Sequence, residues 1–259
     1  MSRTILLIHG AWLNGDSWGA WKKRYEEKGY TVLNPSWPHD VRTPAELNAS
    51  PKKELNKVGP QAIVDSYDRI ISGLAEKPII IGHSAGGVYT QMLANRGRGV
   101  STVIIDPAPT PGVLLGPQAT LSATPVFTSL SSLGGVVRMS RQHFGTRFAQ
   151  TLPENLKDEH YKWIVPTPGK VYWDGLLGIG PEIRFGNPNR PPMLVIVGEK
   201  DLIADASMAK SIYNKQKKSP SLTEFKEYMG KSHWLCMEPG WEEIADFALD
   251  WAVRNAKAA

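Results

Sequence analysis

Among the residues able to do chemistry, Ser84 is set apart by its neighbours. It stands in Gly82-His83-Ser84-Ala85-Gly86, directly after the apolar run at 78–81 and before the helix-like stretch "AGGVYTQMLANR". A G-x-S-x-G pattern between a strand and a helix puts the serine on a sharp turn, and the two glycines let helix and strand approach closely. The hydroxyl is then pushed out of the sheet, and the next amide, that of Ala85, points into the same space from a helix N-terminus. The chemistry implied is attack on a carbonyl carbon. A serine hydroxyl is a weak nucleophile, so it needs a base and an acid to orient that base. Both follow in the order this turn demands. "MLVIVGEKD" (193–201) reads as a strand ending in a turn that carries Asp201, and "GKSHW" (230–234) places His233 on a loop after the last strand. Asp106 also ends a strand and is the chief rival to Asp201; Glu199 and Asp205 lie near the same turn and are less well placed.

The first apolar run supplies the other half of such a site. In "LLIHGAW" (6–12) Gly10 lets the backbone turn so that the amide of Ala11 faces the serine. Ala11 and Ala85 together form a predicted oxyanion hole, each donor contributing about 3–4 kcal/mol to the transition state. His9 and His83 read as structural, and solvation is the default for His39, His143 and His160. With no H-x-x-x-H pair, no metal site is expected. Trp12 and Trp234 flank the predicted oxyanion and base residues, and Phe144 and Trp173 join them as candidate walls of an apolar substrate pocket, with Phe127 and Trp163 nearby. For any one of these rings, core packing is the competing reading.

To bring these residues together, strand ends must meet at one edge of a sheet. Apolar runs at 5–8, 31–34, 78–81, 103–105, 193–197 and 225–228 alternate with amphipathic stretches at about 17–28, 60–75, 85–96, 206–217 and 241–256. That alternation predicts an α/β fold, with about six mostly parallel strands doubly wound by crossover helices. The rhythm breaks between Asp106 and Met193, where proline- and glycine-rich segments surround two predicted helices near 140–150 and 153–163. This insertion reads as a helical lid over the carboxyl ends of the strands, where open α/β sheets bind ligands. The division is 1–106 with 191–259 for the core and 107–190 for the lid.

Composition narrows the classes. The 259 residues are 41% hydrophobic and 21% charged, enough to bury a large core. The 30 Lys and Arg against 25 Asp and Glu give +5, but the cations are dispersed. The most basic stretch, "KSIYNKQKK" (210–218), reads as the solvated face of a helix, so no nucleic-acid partner is expected. A single cysteine, Cys236, cannot form an internal disulfide and points to a reducing compartment. The apolar run in "MSRTILLIHG" is too short for a signal-peptide core or a membrane span, so a cytoplasmic location and no membrane contact are expected.

With "IHGAW" (8–12), "GHSAGG" (82–87), "GEKD" (198–201) and "SHW" (232–234), the chain resembles the α/β-hydrolase superfamily over nearly its whole length. It looks most like the small bacterial serine hydrolases that share "IDPAP" (105–109). The resemblance implies a mostly parallel sheet with a helical cap, and Ser84, Asp201 and His233 match the triad positions. It also implies no cofactor and hydrolysis of a small carboxylic ester, with lactones and thioesters open. The chain departs from fuller members in starting directly at its first parallel strand. Haloalkane dehalogenases and epoxide hydrolases carry an aspartate at the elbow, where this chain has Ser84. Hydroxynitrile lyases place a threonine before the oxyanion residue and a lysine after the histidine; here those positions are Gly10 and Trp234, which favours ester chemistry. A slow-turnover small-molecule receptor on the same triad, cyanohydrin cleavage and perhydrolysis remain the alternatives, and the oligomeric state is not legible.

Overall fold

The computed structural model describes residues 2–180 and 182–256. Six strands form one sheet: β1 (Thr4–Ile8), β2 (Thr31–Leu33), β3 (Ile79–His83), β4 (Ser101–Ile105), β7 (Met193–Gly198) and β8 (Thr223–Tyr228). Two short strands, β5 (Val136–Val137) and β6 (Thr167–Pro168), pair antiparallel between β4 and β7. The large sheet runs β2-β1-β3-β4-β7-β8, and every pairing in it is parallel. The chain therefore winds outward in both directions from the β1/β3 boundary, and a crevice opens beyond the carboxyl ends of those two strands.

The strand residues explain the layering. In β1, β3, β4 and β7 almost every residue is buried, as continuous Ile, Val and Leu runs require when helices cover both faces. The edges differ: β2 has three residues, and β8, "TEFKEY", alternates exposed charge with partial burial, which blunts a free edge. On one face Leu6, Ile8 and Ile80 pack on α3 (Pro60–Ser72) and α4 (Ala85–Asn95), while α9 (Ala206–Gln216) covers Val195 and Val197. On the other, Ile5, Leu7, Ile81 and Ile105 pack on α1 (Gly19–Glu27) and α10 (Trp241–Arg254). The short α2 (Pro44–Ala49) lies after β2, opened by a Thr43/Glu46 capping box.

Between β4 and β7 lies the lid: α5 (Pro117–Phe127), α6 (Arg141–His143), α7 (Glu154–Tyr161) and α8 (Gly169–Leu176), with β5 and β6. The helix expected over 140–150 is a single turn, α6, continued by a π-type turn at Phe144–Phe148. Two further helices, α5 and α8, were not legible; α5 carries Pro125 inside it, against the usual reading of proline as a breaker. Lid residues Val126, Phe144, Phe148 and Ile164 belong to the same apolar cluster as α3 and α4, so the lid needs no core of its own. Among the described residues no helix is long and apolar enough to cross a membrane.

Candidate active site

Ser84 joins β3 to α4 with φ 56 and ψ −121, a left-handed conformation that a non-glycine residue holds only when its surroundings enforce it. The enforcement is visible in the hydrogen bonds and in the glycines. The Ser84 amide donates to the carbonyl of Ile105 at 2.9 Å, and its carbonyl accepts from Gly87 and Ala108. A Cβ on Gly82 would lie 2.3 Å from the Gly86 carbonyl oxygen, and one on Gly86 would lie 2.2 Å from the Ile8 carbonyl oxygen. A Cβ on Gly10 would lie 2.7 Å from the Ser84 Cβ. These three positions let β1, β3 and α4 converge on one point, and they bring Ala11, just after β1, toward Ala85, the first residue of α4.

His233 and Asp201 arrive from the loops after β8 and β7. His233 Nδ1–H donates to Asp201 Oδ2 at 2.7 Å, with both side chains fully buried. The second carboxylate oxygen, Oδ1, accepts the amides of Ile203 at 2.7 Å and Ala204 at 2.9 Å, which fixes the carboxylate's orientation. His233 Nε2 is buried and has no hydrogen-bond partner among the described residues. With the proton on Nδ1, Nε2 is the acceptor nitrogen of the ring. The His233 carbonyl accepts from His83 Nε2–H at 2.9 Å, and the two imidazole centroids are 4.8 Å apart, so the histidine loop docks directly on the residue before Ser84. Burial holds the His83 imidazole well below its usual range, with the nearby His233 acting in the same direction.

The loop after β1 is equally built. His9 Nδ1–H donates to the Gly10 carbonyl at 2.9 Å, and Nε2 accepts the Trp37 amide at 3.1 Å, the pattern of a neutral ring. Burial lowers its pKa to about 4. Trp12 has φ 61; its amide donates to Thr167 Oγ1 at 2.5 Å and its carbonyl accepts from Val165 at 2.9 Å, which ties the lid to this loop.

Aromatic rings close the site from above. Phe148 meets the His233 ring edge-on with centroids 4.7 Å apart, and it also contacts Trp12 and Trp234. Tyr172 packs on Trp12 at 5.3 Å. Neither residue stands out in the sequence; the signal for Phe148 is its spacing of four from Phe144, which places both rings on one side of a helical turn. Phe144 is buried against Trp234. Trp173 packs edge-on against Phe127 and donates to Ser132 Oγ at 3.0 Å, so its contacts are with the lid itself. Trp234 is 1% exposed, and its Nε1–H donates to His160 Nδ1 at 2.9 Å. His160 is thus a partner of the loop that carries His233, against the expectation of a solvated side chain. His143 is likewise half-buried, its ring tilted toward Trp12 with centroids 6.4 Å apart, while His39 is exposed. Trp163 lies on the outside of the lid.

The rival acids have other partners. Asp106 is buried behind the histidine and Asp205 caps α9 by accepting the Met208 amide at 3.1 Å. Glu199 accepts the amide of Gly230 at 2.9 Å.

Comparison with known proteins agrees with this architecture. The chain is similar to an extracellular alpha/beta-hydrolase from a Paenibacillus species, described as homologous to tobacco salicylic acid binding protein 2 (19% identity, 98% of this chain and 99% of that one, TM-score 0.73). It is also similar to a pyrethroid hydrolase from Sphingobium faniae (18% identity, 98% of each chain, TM-score 0.72) and to a monoacylglycerol lipase from Paleococcus ferrophilus (20% identity, 98% and 95%, TM-score 0.65). At these identities the likeness establishes the fold alone. No curated protein sequence matches the chain. A family model described as "Alpha/beta hydrolase family" matches residues 5–247, and the chain belongs to that family.

Proposed function

We propose that the protein is a serine hydrolase that cleaves a carboxylic ester through an acyl-enzyme. The observation that carries this reading is the His233–Asp201 pair at 2.7 Å, with a free, buried Nε2, docked on a positive-φ serine turn. In the proposed cycle His233 Nε2 takes the Ser84 proton as Oγ attacks the ester carbonyl carbon. Asp201 holds the Nδ1–H and stabilises the imidazolium, and the amides of Ala11 and Ala85 receive the oxyanion. His233 then gives its proton to the departing alkoxide, and water activated by the same nitrogen releases the carboxylic acid. The rings of Trp12, Phe148 and Tyr172 favour an apolar acyl or alcohol group, since an aromatic wall offers area and few polar partners. Family membership and the lipase and hydrolase names among the structural neighbours support the reaction class.

The test is hydrolysis of p-nitrophenyl esters of graded acyl length by the native protein and Ser84→Ala. Turnover is expected to fall by about 10⁴-fold or more in the variant with the fold intact. Equal turnover in both would overturn the assignment. Negligible turnover in both folded proteins would favour a small-molecule receptor on the same scaffold.

A further inference from the structure

Asp106 has no part in the cycle just described, yet it stands directly behind it. It follows β4 with φ 42, and its amide donates to the Ile196 carbonyl at 2.8 Å. Its Oδ1 accepts the amide of Gly198, the last residue of β7, at 2.8 Å. The residue is fully buried, and atoms of Asp106, His83 and His233 lie within 4.8 Å of one another. Its carboxyl is within hydrogen-bonding reach of Asp201.

The donor inventory around this pair is short. Both Asp201 oxygens are acceptors already, from Ile203 and Ala204 on one and from His233 on the other. Asp106 Oδ2 receives no hydrogen bond from any described group. The groups that face Asp106 are Asp201 and Glu238, which are acidic, the thiol of Cys236, and the two imidazoles. Two carboxylates cannot both stay ionised at such a separation without a cation between them, so one proton must be shared or owned. Burial and the charge of Asp201 push the Asp106 carboxyl well above the usual range, whereas Asp201 has three N–H donors. Asp106 Oδ2, which receives no donor, is the position left open for that proton.

We propose that Asp106 is a positioning residue of the triad: a neutral carboxylic acid whose O–H donates to the Asp201 carboxylate and holds it in line with His233 Nδ1–H. This rests on the serine-hydrolase reading for its catalytic consequence but not for its geometry. A protonated acid serves here where an ionised one would compete with Asp201 for the imidazolium and repel it. Carboxylates that orient a catalytic histidine are themselves commonly held by such outer contacts.

Two variants separate this role from simple packing. Asp106→Asn keeps the shape and an N–H donor but cannot ionise; Asp106→Ala removes the donor. Esterase kcat is expected within about 3-fold of native for Asp106→Asn, and reduced about 10–100-fold for Asp106→Ala with KM unchanged. Two substrate-free measurements accompany the kinetics. Infrared difference spectra at neutral pH between the native protein and Asp106→Asn should contain a protonated-carboxyl C=O band that belongs to Asp106. The downfield proton resonance of His233 Nδ1–H should stay in place in Asp106→Asn and move or broaden in Asp106→Ala. A carboxylate rather than a carboxyl band would overturn the proposal, as would native kcat in Asp106→Ala or an Asp106→Asn protein as damaged as the alanine variant. Should Asp106→Ala fail to fold, the infrared band and the asparagine variant decide. The spectroscopic readouts need no turnover, so failure of the esterase reading, reported by Ser84→Ala, remains distinguishable from failure of this one.

Discussion

Gly86→Ala tests the geometry of the elbow at the point where it has least slack. A Cβ there would lie 2.2 Å from the Ile8 carbonyl oxygen and 2.7 Å from that of His9. The first distance is about 1 Å short of ordinary contact, and both obstacles are backbone at the buried carboxyl end of β1 and just beyond it rather than the end of a flexible side chain. The start of α4 must therefore retreat from β1 by a comparable amount. That movement separates Ala85, which opens α4, from Ala11, which follows β1, and carries Ser84 with it. A misplacement of about 1 Å in a catalytic constellation costs roughly 10²-fold in rate, and overpacking of this kind costs about 1–3 kcal/mol in stability. The assay is kcat/KM for a p-nitrophenyl ester together with the thermal midpoint by circular dichroism. Gly19→Ala is the control: Gly19 is exposed, has helical φ of −54, and a Cβ there meets nothing within 4 Å. It should be neutral or stabilising by about 0.5–1 kcal/mol. A Gly86→Ala protein with native kcat/KM and native midpoint would refute the idea that the close β1–α4 approach sets the site.

Two buried groups set opposite pH trends in stability. Burial raises the Asp40 pKa to about 8, and its Oδ1 has no partner among the described residues. The native state therefore holds a proton that the unfolded chain loses near pH 4, and stability from this residue falls as pH rises from about 4 to about 8. Asp40→Asn should match the native unfolding free energy at pH 4 and exceed it by roughly 2–5 kcal/mol at pH 9 in urea unfolding; equal stabilities at both pH values would contradict this. His9 acts the other way. Its neutral form is the one the fold selects, so its contribution is complete above pH 6.5 and is lost as pH falls toward about 4. Because Asp40 gains over this interval about what His9 loses, the test is the difference from His9→Gln: in urea titrations the native protein should lose about 3 kcal/mol relative to that variant between pH 6.5 and pH 4, and a pH-independent difference would sink the assignment.

The motif residues were legible because their constraints are local. A serine between two glycines after an all-apolar strand can be read without knowing what surrounds it, and so can a strand-end aspartate and a late loop histidine. The four inner strands, β1, β3, β4 and β7, were legible for the same reason: continuous burial on both faces writes itself as runs such as "TILLI" and "MLVIV". The lid was not. Its helices are short, one contains a proline, and their rings pack on the α3 and α4 layer, so no periodicity of their own had to be kept.

What the sequence by itself determined is the parallel α/β framework and the identities of Ser84, Asp201 and His233 as candidates. Only the tertiary structure decided that Asp201 rather than Asp106 accepts the hydrogen bond from His233 Nδ1–H, because both end buried strands and differ only in which loop reaches Nδ1. It also decided that Phe148 rather than Trp173 lies on the histidine, and that His160 holds Trp234. Those outcomes depend on how a lid of more than eighty residues folds back onto the sheet. Such contacts join residues far apart in the chain, and no local spacing encodes them.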